Sequence, residues 1–158
     1  MSDELSPAAE RVQELLRAAD SKARVRQLPV TARTSADAAA AIGCTVAQIA
    51  KSLVFKSRSG KPVLVIASGA NRVDESKIAT ALGEPIGKAD ASFVRDTTGY
   101  AIGGVAPIGH AMPPRIFIDQ DLRQHGVIWA AAGHPHAVFP LTAAELERLT
   151  QGAVIETK

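Results

Sequence analysis

Between Asp96 and Asp119 the chain carries no acidic residue, and the middle of this stretch reads Gly99-Tyr-Ala-Ile-Gly-Gly-Val-Ala-Pro-Ile-Gly-His110, with four glycines and one proline. Neither a helix nor a strand interior absorbs that density, because each glycine costs about 0.5–1 kcal/mol there and proline removes a backbone donor. The segment must therefore be an irregular connection with regular structure on both sides. It offers uncovered main chain, whose N–H groups a ligand can approach and whose φ can turn positive. Gly104 and Gly109 have the separation of a phosphate loop. His110-Ala111, however, stand where such a loop needs Lys and Ser or Thr for the phosphate and its magnesium, so a nucleotide triphosphatase is excluded. Gly103-Gly104 followed by four residues before Gly109 is also not the dinucleotide fingerprint. Two readings remain open: a plain helix-to-strand connection, or a backbone binding surface.

The flanking punctuation gives the elements. Ser6-Pro7 opens a helix whose Val12, Leu15, Leu16 and Ala19 share a face. Ala23 to Leu28 reads as a short edge strand closed by Pro29. Thr34 caps a helix from Ser35 to Ile42 that stops at Gly43, and Thr45 with Gln48 forms a capping box for one more turn. Leu53 to Lys56 and Pro62 to Ala67 read as a hairpin with Ser57 to Lys61 at its tip. Helices follow from Glu75 to Leu82 and from Ala91 to Thr98, each capped by Asp and stopped by Gly. Strands are expected at Arg115 to Ile118, Val127 to Ala131 and Ala137 to Phe139. The last helix is capped by Thr142 with Glu145 and ended by Gly152, ahead of a strand from Ala153 to Glu156. Hairpins and helices without βαβ alternation indicate an α+β fold on a mixed sheet. Its 158 residues suit one domain with its own core.

The N-terminal residues, with Asp3, Glu4 and Glu10, show no secretory signal, and no run approaches membrane-spanning length, so a cytoplasmic protein is expected. A single cysteine, Cys44, allows no internal disulfide and reads as a small packing residue. Net charge is only +2, but Ala38 to Val73 contains no acid while holding Lys51, Lys56, Arg58, Lys61 and Arg72. That is a candidate phosphate-facing strip, or an ordinary solvated hairpin. The six aromatic residues do not interleave with it, which excludes an extended base-stacking platform.

For chemistry, there is no Gly-x-Ser-x-Gly elbow and no His-Glu-x-x-His zinc spacing; His134-x-His136 with His110 is a weak metal-ligand pattern, and no metal is expected. Lys51 stands out inside Gln48-Ile-Ala-Lys-Ser-Leu-Val-Phe55. An ammonium in an apolar run must either snorkel to water or meet an anionic ligand.

Ile49-Ala-Lys-Ser-Leu-Val-Phe55, the Gly99 to His110 loop, and Trp129-Ala-Ala-Ala-Gly133, in this order and spacing, resemble the YbaK/EbsC family, which is related to the editing domain inserted into bacterial prolyl-tRNA synthetases. The resemblance runs from the first helix to the Thr142 helix. It implies a single YbaK-like domain over 1–158, its sheet mixed and mostly antiparallel, acting as a free-standing deacylase. Such an enzyme hydrolyses the ester between a wrong amino acid and the 3′ end of tRNA, with no metal and no organic cofactor. The family's lysine falls on Lys51, which would hold the terminal ribose-phosphate or an attacking water. Its glycine loop falls on Gly103, Gly104, Pro107 and Gly109. Loop N–H groups, those of Gly104 and Val105, would polarise the ester carbonyl, each such donor contributing ~100- to 1,000-fold in rate. Ser52, Gly103, Pro107, Gly109, His110 and Gly133 would line the substrate, and Lys56, Arg58, Lys61 and Arg72 would meet the tRNA backbone. The implied partners are the tRNA acceptor end and an aminoacyl-tRNA synthetase.

Two departures bear on the substrate. No acid occurs in Gly133 to Phe139, which argues against cysteine, and Ser52 replaces an Asn typical of alanine-clearing relatives. Ala132 and Gly133 suit a small side chain, carried by tRNA-Pro or a similar tRNA. A non-catalytic nucleic-acid-binding or synthetase-associated module is the alternative, and a hydrolase of another activated ester a third.

Overall fold

The structure is a computed structural model that describes residues 5–29 and 34–158. Asp3 and Glu4, part of the N-terminal reading above, lie outside the described residues. Five helices are present among these: α1 (Pro7–Ala18), α2 (Ser35–Ile42), α3 (Glu75–Leu82), α4 (Ala91–Thr98) and α5 (Ala143–Thr150). Each starts at the expected cap, with Ser6, Thr34, Asp74, Asp90 and Thr142 side chains accepting first-turn N–H groups. Three stop at left-handed glycines, Gly43, Gly83 and Gly99. α1 ends on Ala19, and α5, the one helix whose expected glycine stop is not used, ends on Gln151 at φ 57°. The expected stop, Gly152, serves packing instead: a Cβ there would lie 2.7 Å from Ile116 Cγ2.

Eight strands, β1 (Arg26–Gln27), β2 (Ile49–Ser57), β3 (Pro62–Ser68), β4 (Ile86–Lys88), β5 (Arg115–Asp119), β6 (Ile128–Ala131), β7 (Ala137–Leu141) and β8 (Ala153–Ile155), form one sheet in the order β1-β7-β6-β2-β3-β5-β8, with β4 added beside β2. Four pairings are antiparallel (β1·β7, β2·β3, β2·β4, β6·β7) and three parallel (β2·β6, β3·β5, β5·β8), so the sheet is mixed as expected.

β3 is buried along its whole length, as an unbroken apolar run predicts for a strand covered on both faces. Leu64 and Ile66 face a core that includes Val12 and Leu16 of α1, Val94 of α4 and Leu146 of α5. Val63, Val65 and Ala67 face Ile78 of α3 together with Phe117. A third cluster joins Leu28, Val138 and Trp129 to Ala38 and Ile42 of α2.

Three elements differ from the sequence reading by more than two residues, the first being β4, a strand absent from that reading that pairs with the end of β2. The strand expected over Ala23 to Leu28 shrinks to Arg26–Gln27 because the Gln13 side chain takes the place of a neighbouring strand. Its Nε2 donates to Ala23 O at 3.0 Å and its Oε1 accepts from Val25 N at 2.8 Å. β2 begins at Ile49 rather than Leu53, since the remote strand β6 pairs with Ile49 and Ala50.

On the edge of β2 away from β3, β6 reaches only Ile49 and Ala50, and β4 reaches only Phe55 to Ser57. The intervening residues, Lys51 to Val54, have no strand opposite them there among the described residues.

Ile66, fully buried on the α1 face, tests the core. Ile66→Ala is expected to cost about 2–5 kcal/mol, seen as a lower urea midpoint, while Ile102→Ala on the exposed loop should stay within about 0.5 kcal/mol of wild type.

Candidate active site

Lys51 sits opposite Ala67 in the β2·β3 ladder, so its side chain leaves the sheet on the α3 face. Its Nζ donates to Asn71 O at 2.7 Å, just past the end of β3. Asn71 is itself fixed, its Nδ2 donating to Asp119 Oδ2 and to Asp121 Oδ2, both at 2.8 Å. Asp119 is 1 % exposed. Its carboxylate accepts further from Ser68 N at 3.0 Å and Asp121 N at 2.9 Å, which satisfies a charge that burial would otherwise penalise. The hydrogen bond from Asn71, and after it the Lys158 ammonium, holds the Asp121 carboxyl below the usual carboxylate range. The consequence for Lys51 is chemical: a carbonyl positions the ammonium without neutralising it, and two N–H donors remain. Asn71, Asp119 and Asp121 escaped the sequence reading. The only available signal was a polar turn, Ser68 to Arg72, following a buried strand.

The break in the β2 edge opens into a cleft of about 350 Å³. Its walls are mostly carbon, from Ala38, Ile49, Leu53, Trp129, Ala131 and Val138, and the start of α2 adds Thr34 and Ser35. Of the residues singled out from sequence, Lys51, Ser52, Gly103 and Val105 meet here. The Ser52 hydroxyl is buried and has no hydrogen-bond partner among the described residues.

The other loop positions serve the loop's own shape and do not line this cleft. Gly104 does not turn its N–H to the cleft, because that group closes a turn onto Ala101 O at 3.0 Å. Its missing side chain lets the turn at His134 come close, a Cβ at Gly104 being only 2.8 Å from His134 Cα. The cleft-lining loop residues Ile102, Gly103 and Val105 keep N–H groups with no partner among the described residues. Pro107, Gly109 and His110 line a separate depression with Pro113, Ile116 and Leu149, away from Lys51. Gly133 packs under α1, where a Cβ would lie 2.9 Å from Ala8 O.

The back of the loop is tied at three carbonyls. His110 Nε2 lies 2.6 Å from Ala106 O, so Nε2 carries the proton. The Tyr100 hydroxyl donates to Ile108 O at 2.7 Å, and Arg11 Nη2 to Gly109 O at 2.9 Å. His110 also packs on the Tyr100 ring at 5.8 Å. Burial, followed by the nearby Arg11 charge, pushes the His110 imidazole below its ordinary value, keeping it neutral.

Lys56, Arg58, Lys61 and Arg72 are all exposed. Arg72 adjoins Asn71, whereas Arg58 lies seven residues along β2 from Lys51, roughly 20 Å away. Lys56 Nζ stands 5.2 Å from the Phe93 ring centre. The hairpin tip also receives a carboxylate remote in sequence: Glu84 Oε1 accepts from Ser59 N and Oγ at 2.8 Å each, so the strip is less purely basic than its sequence suggests. Cys44 is half-buried, and burial raises its thiol pKa, in keeping with a packing role. Among the described residues no group of three His, Cys, Asp or Glu side chains could hold a metal ion, and no helix is long and apolar enough to cross a membrane.

A two-faced mixed sheet with an open edge, a lysine set on a neutral carbonyl and a glycine loop tied from behind define an editing-domain architecture. The crystal structure of "a putative trans-editing enzyme for prolyl tRNA synthetase" superposes with a TM-score of 0.94, at 42% identity, covering 98% of this chain and 99% of that one. The family model of the aminoacyl-tRNA editing domain matches residues 30–149, and the chain belongs to that family. It is by family a hydrolase acting on mischarged tRNA. Among curated proteins it is 29% identical over 126 residues to the uncharacterized protein YwhH of Bacillus subtilis (strain 168), covering 80% of each chain. It is 28% identical over 123 residues to "Putative Cys-tRNA(Pro)/Cys-tRNA(Cys) deacylase EbsC" of Enterococcus faecalis (strain ATCC 700802 / V583), covering 71% of this chain and 74% of that one.

The depressed His110 has a stability consequence. The folded state binds this proton less readily than the unfolded chain, so His110 leaves stability intact above the ordinary value of 6.5 and lowers it as pH falls below. Scanning calorimetry from pH 7.5 to 5 should show Tm falling more steeply for wild type than for His110→Gln.

Proposed function

We propose that the chain is a free-standing deacylase that removes a small amino acid from mischarged tRNA, with tRNA-Pro or a similar tRNA as carrier. The observation that carries the reading is that Lys51 and the free N–H groups of Gly103 and Val105 border one cleft of about 350 Å³. In this mechanism the two loop N–H groups point at the ester carbonyl and stabilise negative charge as it develops there. The Lys51 ammonium, unneutralised by its Asn71 contact, holds the anionic ribose-phosphate end or orients the attacking water. The three carbonyl ties behind the loop keep these donors from reorganising during the reaction. An aminoacyl ester is already activated, so a water or the substrate's own ribose hydroxyl suffices as nucleophile.

The carbon walls from Trp129, Ile49 and Val138 leave room for a small side chain. Discrimination by one methylene there is worth only ~1–3 kcal/mol, so several small amino acids compete for the same space. The tRNA acceptor end would lie across Arg72 toward Lys56, with Arg58 and Lys61 reached only by the more distant part of the stem.

The test is deacylation of Ala-, Ser-, Thr-, Cys- and Pro-tRNA by wild type and by Lys51→Ala. One or more species should be cleared, and Lys51→Ala should lower kcat/KM about 100-fold or more. Binding of tRNA with every ester left intact would replace the deacylase with a nucleic-acid-binding module. Reversing charge in Arg72→Glu should raise KM and flatten the salt dependence for whole tRNA, whereas Arg58→Glu should have a smaller effect.

A further inference from the structure

The open edge of β2 has a chemistry of its own, which follows from hydrogen-bond parity. Gly69 N donates to Ile49 O at 2.7 Å, and Ser57 N to Lys61 O at 2.9 Å. These contacts bracket a β2·β3 register that runs without interruption from Ala50↔Ser68 to Lys56↔Pro62. Alternate residues of an antiparallel ladder exchange both main-chain bonds, so Lys51, Leu53 and Phe55 direct their N–H and C=O groups to β3. Ala50, Ser52 and Val54 direct theirs to the opposite edge. There Ala50 pairs with β6, and Ser52 finds no strand among the described residues.

The same reasoning applies across the gap. Ala132 N donates to Ala137 O at 2.8 Å, so residue 132 faces β7 and Ala131 faces back toward β2. Ala131 lies one residue beyond the last β2·β6 pair, Ala50↔Ala130, and its carbonyl has no partner among the described residues. Both Ser52 and Ala131 line the cleft. The gap therefore collects two main-chain carbonyls, those of Ser52 and Ala131, together with the Ser52 N–H. No carboxylate lines this cleft among the described residues. The Lys51 ammonium is bonded to Asn71 O past the end of β3, the strand on the other edge of β2, and the Ser52 side chain shares the face of Ile66, opposite the cleft walls Ile49 and Leu53.

Two open carbonyls in a carbon-walled cleft match a compact group rich in N–H donors. We infer that the break in the sheet edge is the seat of the substrate's α-ammonium group, held by the carbonyls of Ser52 and Ala131. This inference rests on the deacylase reading and extends it to a rule of selection. Esters with a free amino group are accepted, and N-blocked esters, the peptidyl and formylated forms of charged tRNA, are refused. The protein would thus clear mischarged tRNA without attacking the nascent chain.

The test takes the best-cleared aminoacyl-tRNA of the panel and prepares two derivatives from it, the N-acetyl ester and the α-hydroxyacyl ester made by nitrous acid deamination. Each enzymatic rate is divided by that ester's own hydrolysis rate in the same buffer, which removes differences in intrinsic lability. Both derivatives are expected to lose about 100-fold or more of this enhancement. Full enhancement on the hydroxyacyl ester, whether or not the N-acetyl ester is refused, would overturn the inference, because that ester loses the charge without gaining bulk. If no aminoacyl-tRNA is cleared at all, the deacylase reading fails and the ammonium seat fails with it.

Discussion

A carboxylate in a protein interior is tolerated only where donors surround it, and Asp119 finds its donors at one place, where β3 and β5 end side by side. Satisfying that charge draws in the main chain of Ser68, the amide of Asn71 and the turn at Asp121. It also fixes the direction in which the Asn71 carbonyl points. The Lys51 ammonium is placed by that carbonyl, so a buried anion sets the position of a partly exposed cation without touching it. Direct pairing would have quenched the charge; an intervening neutral carbonyl preserves it.

The second constraint is the uneven pairing of β2. Along one edge it is matched residue for residue with β3, and this long hairpin holds the strand straight. Along the other edge two different strands each take a few residues and leave a gap between them. A cleft at such a gap is lined by rigid main chain, so its polar groups are already oriented when a ligand arrives. The glycine loop closes the cleft from above and is rigid for a different reason: His110, Tyr100 and Arg11 each hold one of its carbonyls from behind. Rigid donors on one wall and rigid acceptors on another suit a reaction in which positioning and charge stabilisation replace an enzyme nucleophile.

Much of the fold was legible because it is written locally. The five caps, three glycine stops and the β2–β3 hairpin depend on residues within a few positions of each other. Lys51 was legible as a charge in an apolar strand, and Ser52, Gly103 and Val105 as its company through the family resemblance. The loop glycines were harder to sort. Gly103 fronts the cleft, Gly104 admits the His134 turn and Gly109 lies against Leu15 and Tyr100, yet all three look alike in sequence. Their difference lies in what each one faces, and that is supplied by remote parts of the chain.

The sequence by itself determined where the helices begin, that the sheet is mixed within an α+β fold, and that a lysine interrupts an apolar strand while a glycine loop joins a helix to a strand, since propensity, capping and patterning act over short range. Only the tertiary structure decided that the expected Ala23 to Leu28 strand gives way to a Gln13 side chain, that Glu84 joins the basic hairpin tip, and that Gly133 packs against α1. It alone placed Asn71 and Asp119 behind Lys51 and left the β2 edge open at Ser52. Each of these depends on contacts between residues far apart in the chain, and the free energy that selects such contacts comes from burial and from satisfying polar groups across the whole sheet, which no local window contains.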